Sequence, residues 1–172
     1  MRELFVYYAK ANKVINGQLN QILGTMGPDP YDLKLEGYFF KTLGQILDHL
    51  FAADMIWMKA ISDLGTRGLD LVSAVRAVPE YDEPVFSSFA EYLEFRSKLD
   101  DFILASMDNI DDSLLARTLT RRTKTGSLID RPVSQVLVHF FNHQTHHRGQ
   151  ISRILDSLGI ENNYSNMILL EF

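Results

Sequence analysis

Residues 133–155 read VSQVLVHFFNHQTHHRGQISRIL. Apolar side chains recur there at intervals of three and four, through Val133, Val136, Phe140, Ile151 and Ile154, which is the period of a helix buried along one side. A proline at 132 suits the first turn of a helix, and a glycine at 159 suits its end. The pattern predicts a long amphipathic helix from about residue 132 to about residue 158.

Four of the five histidines lie in one nine-residue stretch of this helix, residues 139–147. With about 100° of rotation per residue, His147 falls about 20° from the centre of the apolar stripe and His143 about 60° from it. His139 and His146 fall about 100° and 120° away, on the flank. Imidazoles at i and i+4 stand one above the other on a helix face, so His143 and His147 could share one cation.

A third ligand must come from another helix, and the sequence offers two candidates. His49 lies at the edge of the buried face of its own predicted helix. Asp54, five residues later, faces further inward and could be a ligand or an acceptor behind the ligands. Neutral imidazoles buried without partners would cost a few kcal/mol each, so these histidines need either a metal ion or hydrogen bonds. A hydrogen-bonded histidine network without metal is therefore the competing interpretation.

The rest of the chain predicts an all-α fold. Apolar periodicity indicates helices over about 3–23, 35–64 and 87–107, and a 65–86 connection in which residues 69–78 could form a short helical piece. Threonine-rich alternation over 115–129 predicts a small β-hairpin or an extended crossover. We therefore expect one domain over residues 1–172, a four-helix bundle with a long crossover between helices 2 and 3 and a hairpin before helix 4.

The composition of the chain excludes several classes of site and partner. The 172-residue chain has a net charge of −5 and no cysteine, which excludes disulfides and thiolate ligands and argues against a nucleic-acid partner. Neither a signal peptide nor a membrane span is visible, so a cytoplasmic protein without membrane contact is expected. The run Arg121-Arg122 favours a solvated hairpin face over an anion site. Arg148 is expected at the surface or an interface, and a close helix approach would explain the presence of Gly149 in mid-helix.

Two segments resemble a known family. HFFNHQTHHRGQI at 139–151 is similar to the C-terminal helix motif of the DinB/YfiT-like superfamily of metal-dependent proteins (the DinB family), and TLGQILDHLFAADMIW at 42–57 is similar to its other signature. The resemblance implies a four-helix bundle with one divalent metal ion, zinc or nickel, held by His49, His143 and His147. It also implies a homodimer, which the apolar tail MILLEF supports.

The resemblance also implies a chemistry, because some relatives are thiol-dependent S-transferases or isomerases that use glutathione, mycothiol or bacillithiol. The first hypothesis is therefore a metal-dependent enzyme that activates a small-molecule thiol or a water, either an S-transferase or a hydrolase. Asp54, His139 and His146 are then candidates for groups behind the ligands or for proton transfer. The alternative is a non-catalytic metal-binding or stress-response protein in which the metal contributes folding stability.

Overall fold

Helices form most of the part of the chain that the computed structural model describes, namely residues 1–65, 84–123 and 126–172. The elements in chain order are α1 (Arg2–Gly24), α2 (Leu43–Ser62), α3 (Phe89–Asn109), the short α4 (Asp112–Ala116), β1 (Thr118–Arg122), β2 (Leu128–Pro132) and α5 (Val133–Ser157). Short 3₁₀ turns lie at Pro30–Asp32 and Met167–Leu169. The predicted four long helices and the hairpin before the last of them are confirmed.

The long helices pack in two main pairs. Helix α1 lies against α3, and α2 lies against α5, while α2 also contacts α3 and α5 also contacts α1. Their facing sides form one apolar core that includes Phe5, Phe51, Met55, Phe140 and Ile151. The pairing of α2 with α5 is the contact that matters for the site, since those two helices carry His49 and the histidine cluster.

Helix α2 begins later than the sequence analysis predicted, at Leu43 rather than near residue 35. Thr42 caps it by accepting a hydrogen bond from the backbone N–H of Gln45, whose side chain accepts one from the N–H of Lys41. The preceding residues form a turn in which Gly37 has a φ of 80°, a conformation that a helix does not contain. Phe39, which the periodicity assigned to the helix, is consequently 88% exposed.

The hairpin is antiparallel, with Thr118 opposite Pro132 and Arg122 opposite Leu128. It begins a few residues later than predicted, because residues 112–116 form the short helix α4, capped by Asp111 through the N–H of Leu114. The predicted helical piece at 69–78 lies outside the described residues. Among the described helices, none is long and apolar enough to cross a membrane.

Candidate metal centre

Three imidazoles from two helices converge between α2 and α5. The Nε2 atom of His143 lies 3.1 Å from Nε2 of His49 and 3.1 Å from Nε2 of His147. All three nitrogens lie within 4.8 Å of one another, and no fourth His, Asp or Glu side chain of the described residues joins this group. The site therefore offers three nitrogen donors and leaves a further coordination position open.

Hydrogen bonding defines which nitrogen of His147 is available. Its Nδ1 atom lies 2.8 Å from Oε1 of Gln150, an amide oxygen that can only accept, so Nδ1 carries the proton and Nε2 keeps its lone pair. The amide nitrogen of Gln150 lies 3.3 Å from Nε2 of His146 and donates to it. Gln150, one turn beyond His147, thus orients the ring toward the group, as the acceptors behind metal-bound imidazoles do.

Burial favours the neutral form of His143 and of His147. It lowers the pKa of His143 to about 3, and the neighbouring rings of His147 and His49 act in the same direction. Burial also lowers the pKa of His147, although its hydrogen bond to Gln150 opposes the shift. A neutral imidazole is the form that binds a metal ion, so the site needs no proton loss at neutral pH.

The arrangement fits a divalent cation better than it fits a network of hydrogen bonds alone. Nε2 of His143 carries either one proton or one lone pair, so, with a lone pair on Nε2 of His147, it can form a hydrogen bond across only one of its two 3.1 Å contacts. A divalent cation bound among the three rings could accept one lone pair from each of them. His49, His143 and His147 could therefore hold a metal.

Aromatic rings surround the group. The ring of Phe40 lies 5.2 Å from that of His49 and 5.9 Å from that of His147. The exposed ring of His139 stands 6.0 Å from His143 and 5.4 Å from the indole of Trp57. His146 is also exposed, beside His147. The two flanking histidines thus lie where the helix period placed them, at the rim of the group.

Asp54 takes part in a buried ionic network. Its Oδ2 atom accepts a hydrogen bond from Arg96 of α3 at 2.7 Å and another from Gln144 of α5. Arg96 also bonds Oδ1 of Asp100 at 2.7 Å. Burial raises the pKa of Asp54 to about 6, and the Arg96 charge opposes the shift. The described hydrogen bonds of Asp54 thus connect α2 to α3 and α5 and do not reach a ligand ring.

Arg148 extends this network to α1, which corrects the expectation of a surface residue. It is 8% exposed, and its guanidinium donates to the side-chain oxygens of Asn12 and Asn16, the latter at 3.0 Å. Asn16 in turn donates to Asp100. Gly149 is also corrected, since a Cβ there would meet nothing within 4 Å, so no close helix approach explains it.

Sequence reasoning missed two parts of this region. Gln150 could have been found, because a residue at i+3 from a predicted ligand lies on the same helix face. The network between Asp54, Arg96 and Arg148 had no comparable signal, since its members lie on different helices far apart in the chain.

Fold and site together define a helical-bundle protein with three imidazoles between two of its helices that could hold a metal ion. The sequence profile of the DinB family matches residues 1–171, and the chain belongs to that family. It is similar to the Protein DinB of Bacillus subtilis (strain 168), with 23% identity over 159 residues, which cover 91% of this chain and 85% of that protein.

Proposed function

We propose that the protein is a metal-dependent enzyme of the thiol S-transferase type, with His49, His143 and His147 as ligands of one zinc or nickel ion. The observation that carries the proposal is the convergence of three imidazoles, in which Nε2 of His143 lies 3.1 Å from Nε2 of His49 and 3.1 Å from Nε2 of His147. Three neutral ligands leave the ion with its full charge and an open position.

The chemistry requires a nucleophile at neutral pH. When bound, a divalent cation lowers the pKa of a thiol or water beside it. In the overall reaction the thiol loses its proton, its sulfur forms a bond to an electrophilic carbon, and the leaving group departs with the electron pair of its own bond. His139 and His146, exposed at the rim, are the proposed proton acceptors, while Gln150 holds His147 in its Nδ1–H form.

Metal binding is tested first. Purified protein is titrated with zinc and with nickel by calorimetry, and thermal unfolding is followed alongside. We expect one ion per chain and a rise in Tm, since a ligand at about 100 times its Kd adds about 2.7 kcal/mol of stability. His143→Ala and His49→Ala should lose the ion, whereas His146→Ala, a matched change at the exposed rim, should keep it. Retention of the ion by His143→Ala would contradict the ligand assignment.

Catalysis is tested separately, with metal-loaded protein, low-molecular-weight thiols and a chromogenic electrophile. Turnover that disappears in the metal-free protein and in His143→Ala supports the enzyme. A protein that binds the ion but conjugates none of the thiols would favour the alternative, a metal-binding protein whose ion contributes stability alone.

We propose in addition that the chain forms a homodimer through its C-terminal tail. Ile168 is 86% exposed and Leu169 is 73% exposed, and apolar side chains grouped at a surface are typical of an interface. Sedimentation at micromolar concentration should give a dimer that the double change of these two residues to serine weakens. A single monomeric species of the unmodified protein would refute this.

A further inference from the structure

A cavity of about 410 Å³ lies between α2 and the hairpin. Its walls include Ile56, Lys59 and Ala60 of α2 and Arg121 of β1. Volumes of about 300–1,000 Å³ are usual for small-molecule sites. None of these residues takes part in the three-histidine group, so the cavity needs an explanation of its own.

The cavity lies on the same side of α2 as His49. Ile56 and Ala60 follow His49 by seven and eleven residues, which places both within about 20° of it around the helix axis. With a rise of 1.5 Å per residue they stand about 10–16 Å further along α2. A molecule lying along this face could reach the histidine group with one end and the cavity with the other.

Side chains form a continuous wall between the two places. The ring of His139 lies 6.0 Å from that of His143 and 5.4 Å from the indole of Trp57. The guanidinium of Arg121 in turn lies 5.4 Å from the centre of that indole. His139 is exposed and Trp57 is half-buried, so a ligand can approach this wall from solvent.

The two arginines of the basic run are not equivalent. Successive residues of a strand point to opposite faces, and Arg121 is half-buried over Trp57 while Arg122 is exposed and donates to the carbonyl of Gly126 at 3.2 Å. A cation held over an aromatic ring has a fixed direction. Arg121 is therefore the arginine of this run whose guanidinium has a defined position.

Of the two cations that line the cavity, Lys59 has a carboxylate partner among the described residues and Arg121 has none there. The ammonium of Lys59 forms an ion pair with Asp63 at 2.7 Å, which neutralises it. Within residues 1–65, 84–123 and 126–172, no carboxylate forms an ion pair with Arg121. A guanidinium fork is well suited to bind a carboxylate through two parallel hydrogen bonds.

We propose that Arg121 binds the carboxylate of an elongated thiol cosubstrate whose sulfur reaches the three-histidine group, on the order of 10–15 Å away along α2. The proposal rests on the proposed function for the thiol end of the molecule. The carboxylate end rests on Arg121, Trp57 and the cavity alone. It reverses the expectation that the basic run is merely a solvated face.

The test compares mercaptocarboxylates with mercaptoalcohols of the same chain length, from mercaptopropionate to mercaptoundecanoate, on zinc-loaded protein. Binding is measured by calorimetry and by the emission of Trp57, the single tryptophan of the chain. For the long compounds we expect the acid to bind about tenfold or more tightly than the alcohol, as a hydrogen-bonded charge pair would give. For the shortest pair, which cannot span the distance, we expect no difference.

Arg121→Gln should abolish the preference for the long acid, Arg121→Lys should retain part of it, and Arg122→Gln is the matched control that should retain all of it. Zinc affinity should be unchanged in all three variants. Equal binding of long acid and alcohol by the zinc-loaded protein, no binding of either, or an equal loss in Arg122→Gln would overturn the proposal.

A separate arm removes the dependence on metal. Octanoate carries the carboxylate without a thiol, and its binding to zinc-free protein should weaken in Arg121→Gln and not in Arg122→Gln. If the protein does not bind zinc but Arg121→Gln still weakens octanoate binding, the proposed function is refuted and the anion site at Arg121 stands. Octanoate binding that is absent or indifferent to Arg121 refutes the anion site, whatever the protein does with zinc.

Discussion

Replacing Arg96 by methionine tests the buried network most directly. The Arg96 side chain is 1% exposed and bonds one carboxylate oxygen of Asp54 and one of Asp100, each at 2.7 Å. Methionine fills much of the same volume but leaves two carboxylates buried without their cation. Removing one partner of a buried ion pair costs about 3–5 kcal/mol. That is a large part of the roughly 5–15 kcal/mol that holds a domain folded.

The size of this loss can be measured by urea unfolding, followed by circular dichroism on the metal-free protein. For a chain of this length about 1 kcal/mol corresponds to roughly 2–4 °C in Tm, so Arg96→Met should also unfold roughly 6–20 °C below the unmodified protein. Lys98→Met is the matched control, two residues along the same helix. The ion pair of Lys98 with Glu94 is exposed, so Lys98→Met should change the free energy of unfolding by about 0.5 kcal/mol or less.

The pH dependence identifies the cause. Burial already raises the pKa of Asp54 above its unfolded value, to about 6, and the Arg96→Met change removes the charge that opposes this shift most strongly. A carboxyl whose folded pKa is raised contributes stability at low pH and loses it as the pH rises through the folded pKa. The deficit of Arg96→Met should thus be smaller at about pH 5.5 than at about pH 7.5, after subtraction of the unmodified protein at each pH.

Two results would refute this reasoning. One is a loss in Arg96→Met no greater than that in Lys98→Met, which would mean that the ionic network contributes little beyond packing. The other is a deficit that does not change with pH, which would assign the loss to the shape of the methionine side chain.

Three further predictions concern the site and the backbone. Gln150→Leu removes the acceptor that orients a ligand ring and should weaken zinc binding about 10–100-fold in calorimetry, whereas Gln135→Leu, exposed on the same helix, should not. Because burial lowers the pKa of His143 to about 3, the unfolded chain binds the extra proton, and this group makes the metal-free protein less stable as the pH falls from about 6.5. The loss of stability below about pH 6.5 should be smaller in His143→Ala, in which His147 still has a lowered pKa, and an equal loss in both proteins would contradict this assignment. Gly44→Ala should destabilise the protein by about 1–3 kcal/mol, because its Cβ would lie 2.6–2.7 Å from the ring and the carbonyl oxygen of Tyr31. Gly149→Ala should stabilise it by about 1 kcal/mol, because a Cβ there meets nothing within 4 Å. Melting curves in which both variants have the Tm of the unmodified protein would contradict both predictions.

The sequence determined the features that depend on neighbours along one helix. The spacing of His143 and His147, their inward direction and the exposure of His139 and His146 all follow from the helix period, which is fixed by backbone geometry. The start of α2 was also readable, because Thr42 and Gln45 form a local capping pattern, but apolar periodicity extended the prediction past it.

Only the tertiary structure decided what the helices bring together. Arg148 points about 80° from the apolar stripe, yet it is buried, because α5 packs against α1 as well as α2 and so buries a wider arc than the stripe indicates. The contact of His49 with His143, the meeting of Arg96 with Asp54, and the position of Arg121 over Trp57 each depend on how one element is rotated and shifted against another. Side-chain packing across the whole core sets those rotations, and no local period encodes them.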